Sequence, residues 1–215
     1  LSPIGVTIAS DRSGSWLVGF DLATGQGRAA HRLPDPHSFC NDMAVAADGS
    51  VYVTDTNIHV LRLRPGATTL ETWLSDRRFM PGKGGGLDGI AFGADHRLYV
   101  TSIGAGLLFR IAVDRGKAGE VTQLATSRPL TRPDALRPIA RNRFALADGG
   151  GQVDLVAITG DKAEIATLDD HLDEGPTGVT VAADRTTVWY VEGQLNHVFD
   201  PSLRNQPPKL PFRIS

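Results

Sequence analysis

The stretch that decides the fold runs from Asn41 to Asp55 and reads NDMAVAADGSVYVTD. It begins with a polar residue, continues with an apolar run, turns, and ends with a second apolar run. The same pattern returns along the chain, and we call the first residue of each copy its pivot. Further pivots are Asp88 (DGIAFGADHRLYVTS), Asp134 (DALRPIARNRFALAD) and, in weaker copies, Ile4 and Thr177.

The spacing of the pivots indicates a repeat built from strands. Successive pivots lie 37, 47, 46 and 43 residues apart, and a strand-rich repeat of about 40 residues is typical of propeller blades. Short runs rich in Val, Ile, Thr and Tyr alternate with turn residues such as Asp48 and Gly49. No segment has a convincing helical pattern. We therefore predict an all-β fold, a single β-propeller domain over residues 1–215 with four complete blades and a partial N-terminal one.

The composition narrows the functional classes. The formal net charge is −2 and the Lys and Arg residues are scattered, which argues against nucleic acid as a partner. No apolar run approaches the roughly 18 residues of a membrane span. Cys40 is the only cysteine, so no internal disulfide can form, and we expect it to be a small buried hydrophobe. We expect a soluble protein, and the sequence leaves both the cytoplasm and export open.

Three consecutive pivots carry oxygen-bearing side chains. The first strand of a propeller blade lines the central channel, so Asn41, Asp88 and Asp134 should converge at the channel mouth. Two carboxylates at close range repel one another unless something compensates, and a bound cation is one compensation. Oxygen ligands suit Ca²⁺, Mg²⁺ or Mn²⁺ better than a structural Zn²⁺. The alternative is that Asn and Asp simply cap strand starts, although the apolar pivot Ile4 indicates that the position need not be polar.

The repeats resemble a known family. Four segments carry the resemblance: FCNDMAVAADGSVYVTD, GLDGIAFGADHRLYVT, RPDALRPIARNRFALAD and GPTGVTVAADRTTVWYVEG. Their order and spacing are similar to those of the senescence marker protein and gluconolactonase (regucalcin-like) family of six-bladed propellers. The resemblance implies a six-bladed parent whose first blade is missing from this chain.

The resemblance also implies a set of site residues. It makes Asp88 and Asp134 ligands of one divalent cation, with Ca²⁺ favoured over Mn²⁺, Mg²⁺ or Zn²⁺. Asn41 would contact substrate and the metal site, and Asp134 would also be the catalytic general base. The chain departs from the family in two respects. Asp88 replaces an Asn, and the expected Glu ligand of the first blade has no counterpart, because Glu174 in Glu174-Gly175-Pro176 lies ten residues before the turn Asp184 and not seven.

Two functional hypotheses follow. The first is a divalent-metal-dependent lactonase-type hydrolase that acts on a small-molecule lactone or ester. The alternative is a non-catalytic propeller that binds a protein or a small ligand at the channel mouth. The second strands end, at the same end of the molecule, in Asp55, Asp148 and Glu192. We interpret these residues as turn formers at strand ends and favour this over a role in supporting the site. The glycine run 82–86 lacks the ending of a phosphate loop and predicts at most a flexible lid.

Overall fold

Short antiparallel strands make up nearly all of the regular structure. The structure is a computed structural model, and it describes residues 4–11, 13–172, 175–195, 197, 200–203, 205–212 and 214–215. The strands form five sheets in chain order, which we call blades 1 to 5. A 3-10 turn lies at Arg77–Phe79, and His197 is also helical. Within these same ranges, no helix is long and apolar enough to cross a membrane.

Blade 1 has three strands, and blades 2 and 3 have four each. Blade 1 contains β1 (Ile4–Asp11), β2 (Gly14–Asp21) and β3 (Gly27–Arg32). Blade 2 contains β4 (Cys40–Val45), β5 (Val51–Asp55), β6 (His59–Leu63) and β7 (Glu71–Ser75). Blade 3 contains β8 (Leu87–Phe92), β9 (Leu98–Ser102), β10 (Leu107–Asp114) and β11 (Lys117–Gln123).

Blades 4 and 5 show two additions to the simple repeat. The short strand β12 (Ala125–Thr126) pairs in parallel with the outer strand of blade 4. Blade 4 itself contains β13 (Pro133–Ala140), β14 (Arg143–Asp148), β15 (Gln152–Thr159) and β16 (Lys162–Asp169). Blade 5 contains β17 (Pro176–Val181) and β18 (Val188–Glu192), and the C-terminal segment joins it through an antiparallel bridge between Ile214 and Val191.

The all-β propeller prediction is confirmed. The first strand of each blade is an edge strand of its sheet, and β1, β4, β8, β13 and β17 pack against one another in that order. The blade count differs in detail from the expected four complete blades. Within the described residues, blades 2, 3 and 4 have all four strands, whereas blade 5 has two strands and the bridge. The sequence HVFD also predicts a strand at 197–200; positions 198–199 lie outside the described residues, and His197 is helical.

The hydrophobic core lies between neighbouring blades. Between blades 2 and 3, the fully buried Tyr52 ring meets Trp73 and Phe92 edge-on, with ring centroids 4.9 and 5.3 Å apart. Phe79 from the 3-10 turn packs in the same way on Phe109, at 5.1 Å. Each such aromatic pair contributes about 1 kcal/mol beyond its buried area. Packing of one blade on the next therefore fixes how the inner strands approach each other.

The turn aspartates explain why the repeat keeps its register. The side chains of Asp48, Asp95 and Asp184 each accept a hydrogen bond from the backbone N–H two residues later, at 2.9, 3.2 and 2.9 Å. Hydrogen bonds from the backbone of Thr186 and Thr187 lower the pKa of Asp184 to about 2. Each carboxylate thus closes the turn between the first and second strand of its blade.

The glycine run is anchored at its C-terminal end, whereas the flexible lid expected of residues 82–85 stays a prediction. The Gly86 N–H donates to the Thr56 carbonyl at 2.8 Å, and the Leu87 N–H donates to the Asn57 carbonyl at 3.1 Å. A Cβ built on Gly86 would lie 1.6 Å from the Asn57 oxygen. Gly86 is needed because its backbone touches the backbone that follows β5.

Replacing Gly86 by alanine should therefore destabilise the fold. The new methyl group would force two backbone segments apart, and such overpacking costs about 2 kcal/mol or more. Gly82→Ala is the matched control, because a Cβ there meets nothing within 4 Å. Urea unfolding should show a large loss for the first variant and little change for the second. Equal stability of the two variants would mean that the run is loosely held after all.

Candidate functional site

The structure brings the three polar pivots together at the channel mouth. Asn41, Asp88 and Asp134 are each the second residue of an inner strand, β4, β8 and β13. The Asp88 carboxyl lies close enough to the side chains of Asn41 and Asp134 for both to act on its pKa. Asp88 is buried, with 2% of its surface exposed, whereas Asn41 and Asp134 are half-buried. The convergence that the repeat predicted is therefore present, with Asp88 at its centre.

A β-bulge in each of the three blades aims the pivot into the channel. The pairing of first and second strands slips between Cys40 and Met43, and again between Leu87 and Ile90. Blade 4 slips at the equivalent place, after Pro133. Bulges bend a strand and redirect its side chains. The pivot and the residue after it lie inside the bulge, so side chains that would alternate between faces can both approach the channel.

Buried threonines tie each bulge to the next blade. The Thr54 hydroxyl accepts the Asp42 N–H at 3.0 Å and lies 2.5 Å from the Asp88 carbonyl, to which it can donate. Thr101 repeats this arrangement one blade later. It accepts the Gly89 N–H at 2.7 Å and donates to the Asp134 carbonyl at 3.2 Å. The relative positions of the pivots are therefore set by backbone hydrogen bonds, and do not depend on the pivot side chains alone.

Burial and mutual repulsion dominate the electrostatics of the two acidic pivots. Desolvation, followed by the charges of Asp134 and Asp42, raises the pKa of Asp88 well above its ordinary value. Desolvation also raises the pKa of Asp134, to about 7, although its hydrogen bond with Asp88 lowers it. Two interacting carboxyls titrate as a pair. The proton uptake of one carboxyl therefore depends on the charge of the other.

Two residues that sequence reasoning did not assign complete the cluster. Asp42 follows the first pivot, and Arg137 lies three residues after the third. The Arg137 guanidinium forms a bidentate ion pair with the Asp42 carboxylate. Its Nη1 atom donates to Oδ2 at 2.6 Å, and its Nη2 atom donates to Oδ1 at 2.8 Å. Burial lowers the pKa of Arg137, but its hydrogen bonds to Asp42 and the charges of Asp42 and Asp134 together outweigh this and raise it. The cluster is thus three carboxylates and one fixed cation.

The donor set fits a divalent, oxygen-seeking cation in part. The Oδ1 atom of Asp88 is buried and, among the described residues, has no hydrogen-bond partner, so it can accept a hydrogen bond from water or bind an ion. The Asp134 carboxyl lies nearby and acts on Asp88, and Asn41 also carries a side-chain oxygen. Asp42 is already engaged by Arg137. Within the described residues, no group of three or more His, Cys, Asp and Glu is arranged to hold a metal ion, so the ligands available are two carboxylates and an amide.

Asp55 and Asp148 close the turns after their strands, as the sequence interpretation favoured, by accepting the N–H groups of Asn57 and Gly150, and they also anchor loops. Asp55 accepts a hydrogen bond from the Ser38 hydroxyl at 2.7 Å, and Asp148 accepts one from the Thr131 N–H at 2.9 Å. Each bond holds the loop that leads into the pivot of the same blade. Glu192 ends β18. Glu174, which was compared with the missing family ligand, lies outside the described residues.

Arg128 provides the strongest of these loop anchors. Its Nη2 atom lies 2.6 Å from both oxygens of Asp154, a carboxylate with no exposed surface. Its Nη1 atom lies 3.5 Å from the equally buried Asp148. The guanidinium therefore neutralises buried charge on blade 4 while it fixes the loop that precedes Asp134.

Replacing Arg128 by methionine is expected to lower the free energy of unfolding by about 3 kcal/mol, because a buried carboxylate loses its partner. The matched control is Arg64→Met. Arg64 also pairs with a carboxylate, Glu71, but the two side chains are 61% and 44% exposed, so its removal should cost about 0.5 kcal/mol or less. Chemical unfolding of both variants measures the two losses of unfolding free energy. Similar losses would show that the Arg128 ion pair is not effectively buried.

These features define the class of the protein as a β-propeller with an acidic channel mouth. Similar solved structures include virginiamycin B lyase from Staphylococcus aureus, with a TM-score of 0.63 and 18% identity over 86% of this chain and 61% of that one. A streptogramin B lyase matches with a TM-score of 0.62 and 18% identity, over 89% of this chain and 62% of that one. A Bacteroides caccae protein of unknown function matches with a TM-score of 0.62 and 10% identity, over 88% and 65%.

These likenesses show the fold and no more. The chain spans between 61% and 65% of the length of these structures. No protein-family model matches the chain, and no curated protein matches it. The propeller is therefore supported, whereas membership of the gluconolactonase family stays a prediction from the motifs.

Proposed function

We propose that the protein is a divalent-cation-dependent hydrolase of small lactones or related esters. The observation that carries this proposal is the buried Asp88 Oδ1, which lacks a partner among the described residues and lies beside a second carboxyl, that of Asp134. Burying such an oxygen without a partner costs free energy. A site that keeps it is better suited to ligand binding than to stability.

Each residue of the cluster has a distinct role in this proposal. A cation bound here would polarise an ester carbonyl and lower the pKa of water. Asp88 and Asp134 would hold it, with Ca²⁺ preferred by the all-oxygen donor set and Mn²⁺, Mg²⁺ or Zn²⁺ as alternatives. Asn41, at the mouth, would orient the substrate. Asp134 is more exposed than Asp88, so it is the carboxylate that can accept a proton from an incoming water.

The proposal is tested on the wild-type chain with simple probe lactones, such as δ-valerolactone and glucono-δ-lactone. Hydrolysis should exceed the uncatalysed rate, disappear on treatment with a chelator, and return when Ca²⁺ or Mn²⁺ is added back. If the chelator left the rate of hydrolysis unchanged, the activity would not depend on a cation, and that part of the proposal would be wrong. Failure to hydrolyse any lactone or aryl ester would remove the hydrolase activity itself.

A second candidate is a non-catalytic propeller that binds a small ligand or a protein at the channel mouth. The observation that favours it is the Arg137 guanidinium, which neutralises Asp42 without any added ion. Part of the positive charge expected from a metal ion, which would balance the clustered carboxylates, is thus supplied by Arg137. Propellers serve as binding modules as well as enzymes, and fold does not decide between them. An absence of heat on titration with divalent cations would favour this candidate.

A further inference from the structure

The carboxylate of Asp42 is saturated by donors from three blades. Its Oδ1 atom accepts the Met43 N–H at 2.8 Å and Nη2 of Arg137 at 2.8 Å. Its Oδ2 atom accepts the Ile90 N–H at 3.1 Å and Nη1 of Arg137 at 2.6 Å. A carboxylate offers about four acceptor positions, so these four donors leave none for another ligand.

Asp88 is in the opposite state. It lies in the same cluster, close enough for the charge of Asp42 to act on it, yet its Oδ1 atom has no donor within the described part of the chain. The hydrogen bonds of Asp42 and Asp88 therefore leave these two neighbouring carboxylates in different states. One is occupied by an internal guanidinium and the other is left open.

We propose that Arg137 is a specificity-determining residue that withholds Asp42 from the cation site and so limits the site to two carboxylates. This inference rests on the cation site of the proposed function. Affinity for Ca²⁺ depends strongly on the number of charged oxygen ligands. The guanidinium is also a fixed positive charge close enough to Asp134 to interact with its carboxylate. Both effects weaken cation binding and favour a site that an ion can enter and leave.

The position of Arg137 supports this role. Its side chain crosses from β13 in blade 4 to β4 in blade 2, and the two ends of its fork match the two carboxylate oxygens. A bidentate pair of this kind is strong and has a fixed geometry. Lysine could not reproduce it, since an ammonium is a single point charge on a flexible stem.

The test is a calorimetric titration with Ca²⁺ alone, on the wild type and on Arg137→Met. Freed of its partner, Asp42 becomes available as a third carboxylate, and the affinity should rise at least about tenfold. The same substitution is then made in an Asp42→Asn background. There the guanidinium is removed but no carboxylate is released, so the gain should be at least about tenfold smaller.

The outcomes separate this inference from the proposed function. Equal gains in the two backgrounds, or no gain in Arg137→Met, would overturn the withholding role, because only the long-range charge would then matter. A larger gain with Asp42 present supports the role even if no lactone is hydrolysed. If Arg137→Met fails to fold, Arg137→Lys replaces it, and an affinity no higher than that of the wild type would then overturn the inference.

Discussion

Replacing Asp134 by alanine is expected to reduce cation-dependent lactone hydrolysis by at least about 100-fold, the usual contribution of a positioned general base. The variant loses both a carboxylate ligand and the group that accepts the proton. It should fold, because the variant keeps the backbone carbonyl of residue 134, which accepts a hydrogen bond from the Thr101 hydroxyl at 3.2 Å. Initial rates with a probe lactone at saturating Ca²⁺ give the result.

The control for this variant is Asp170→Ala, which removes an equally charged side chain that is 59% exposed. That change should leave the rate within about twofold, since an exposed carboxylate contributes little. Undiminished hydrolysis in Asp134→Ala would exclude Asp134 from catalysis. If Asp134→Asn were as active as the wild type, Asp134 could still be a ligand but not the base.

Replacing Asp88 by asparagine should have the second largest effect, and in two opposite directions. Without metal, near pH 8, the variant should be more stable than the wild type by about 2 kcal/mol, because a buried charge beside Asp134 is removed. With Ca²⁺, its affinity should fall at least about tenfold, since one of two carboxylate ligands is lost. Chemical unfolding in a chelator and calorimetric titration measure the two effects.

The pH dependence of stability provides an internal check on this variant. The folded-state pKa values of Asp88 and Asp134 are raised, the latter to about 7 from an ordinary 3.8. The folded protein therefore binds more protons than the unfolded chain between about pH 4 and pH 7, so the free energy of unfolding falls as pH rises through this window. Asp88→Asn should flatten that fall. A fall that is as steep in the variant would contradict the coupling of the two carboxyls.

The fold could be predicted because its signals are local and repeated. Turn aspartates such as Asp48, which closes a hairpin through the Ser50 N–H, lie at a constant distance from the pivot. The convergence of Asn41, Asp88 and Asp134 follows from the same repeat, since equivalent positions in successive blades face one axis. One strong regularity was therefore enough to place three distant side chains together.

The remaining part of the site could not be predicted, because it depends on irregularities. Strict alternation along β13 would not bring Asp134 and Arg137, three residues apart, into the same channel. The slip between Pro133 and Leu136 allows it. The ion pair between Asp42 and Arg137 could not be predicted either, because it also depends on these bulges. The C-terminal bridge of Ile214 to Val191 is likewise non-local and has no counterpart in the repeat.

The central claim is that the open oxygens of Asp88 and Asp134 form a binding site for one divalent cation. It is tested most directly by titrating the chelator-treated wild type with Ca²⁺ near pH 7 in two buffers of different ionisation enthalpy. Metal ligands must be deprotonated to bind, so binding should release any proton that the raised pKa values retain on the two carboxyls. We predict one bound ion per chain, with a heat that changes with the buffer. No binding up to millimolar Ca²⁺ or Mn²⁺, or binding that Asp88→Asn and Asp134→Ala leave unchanged, would contradict the claim.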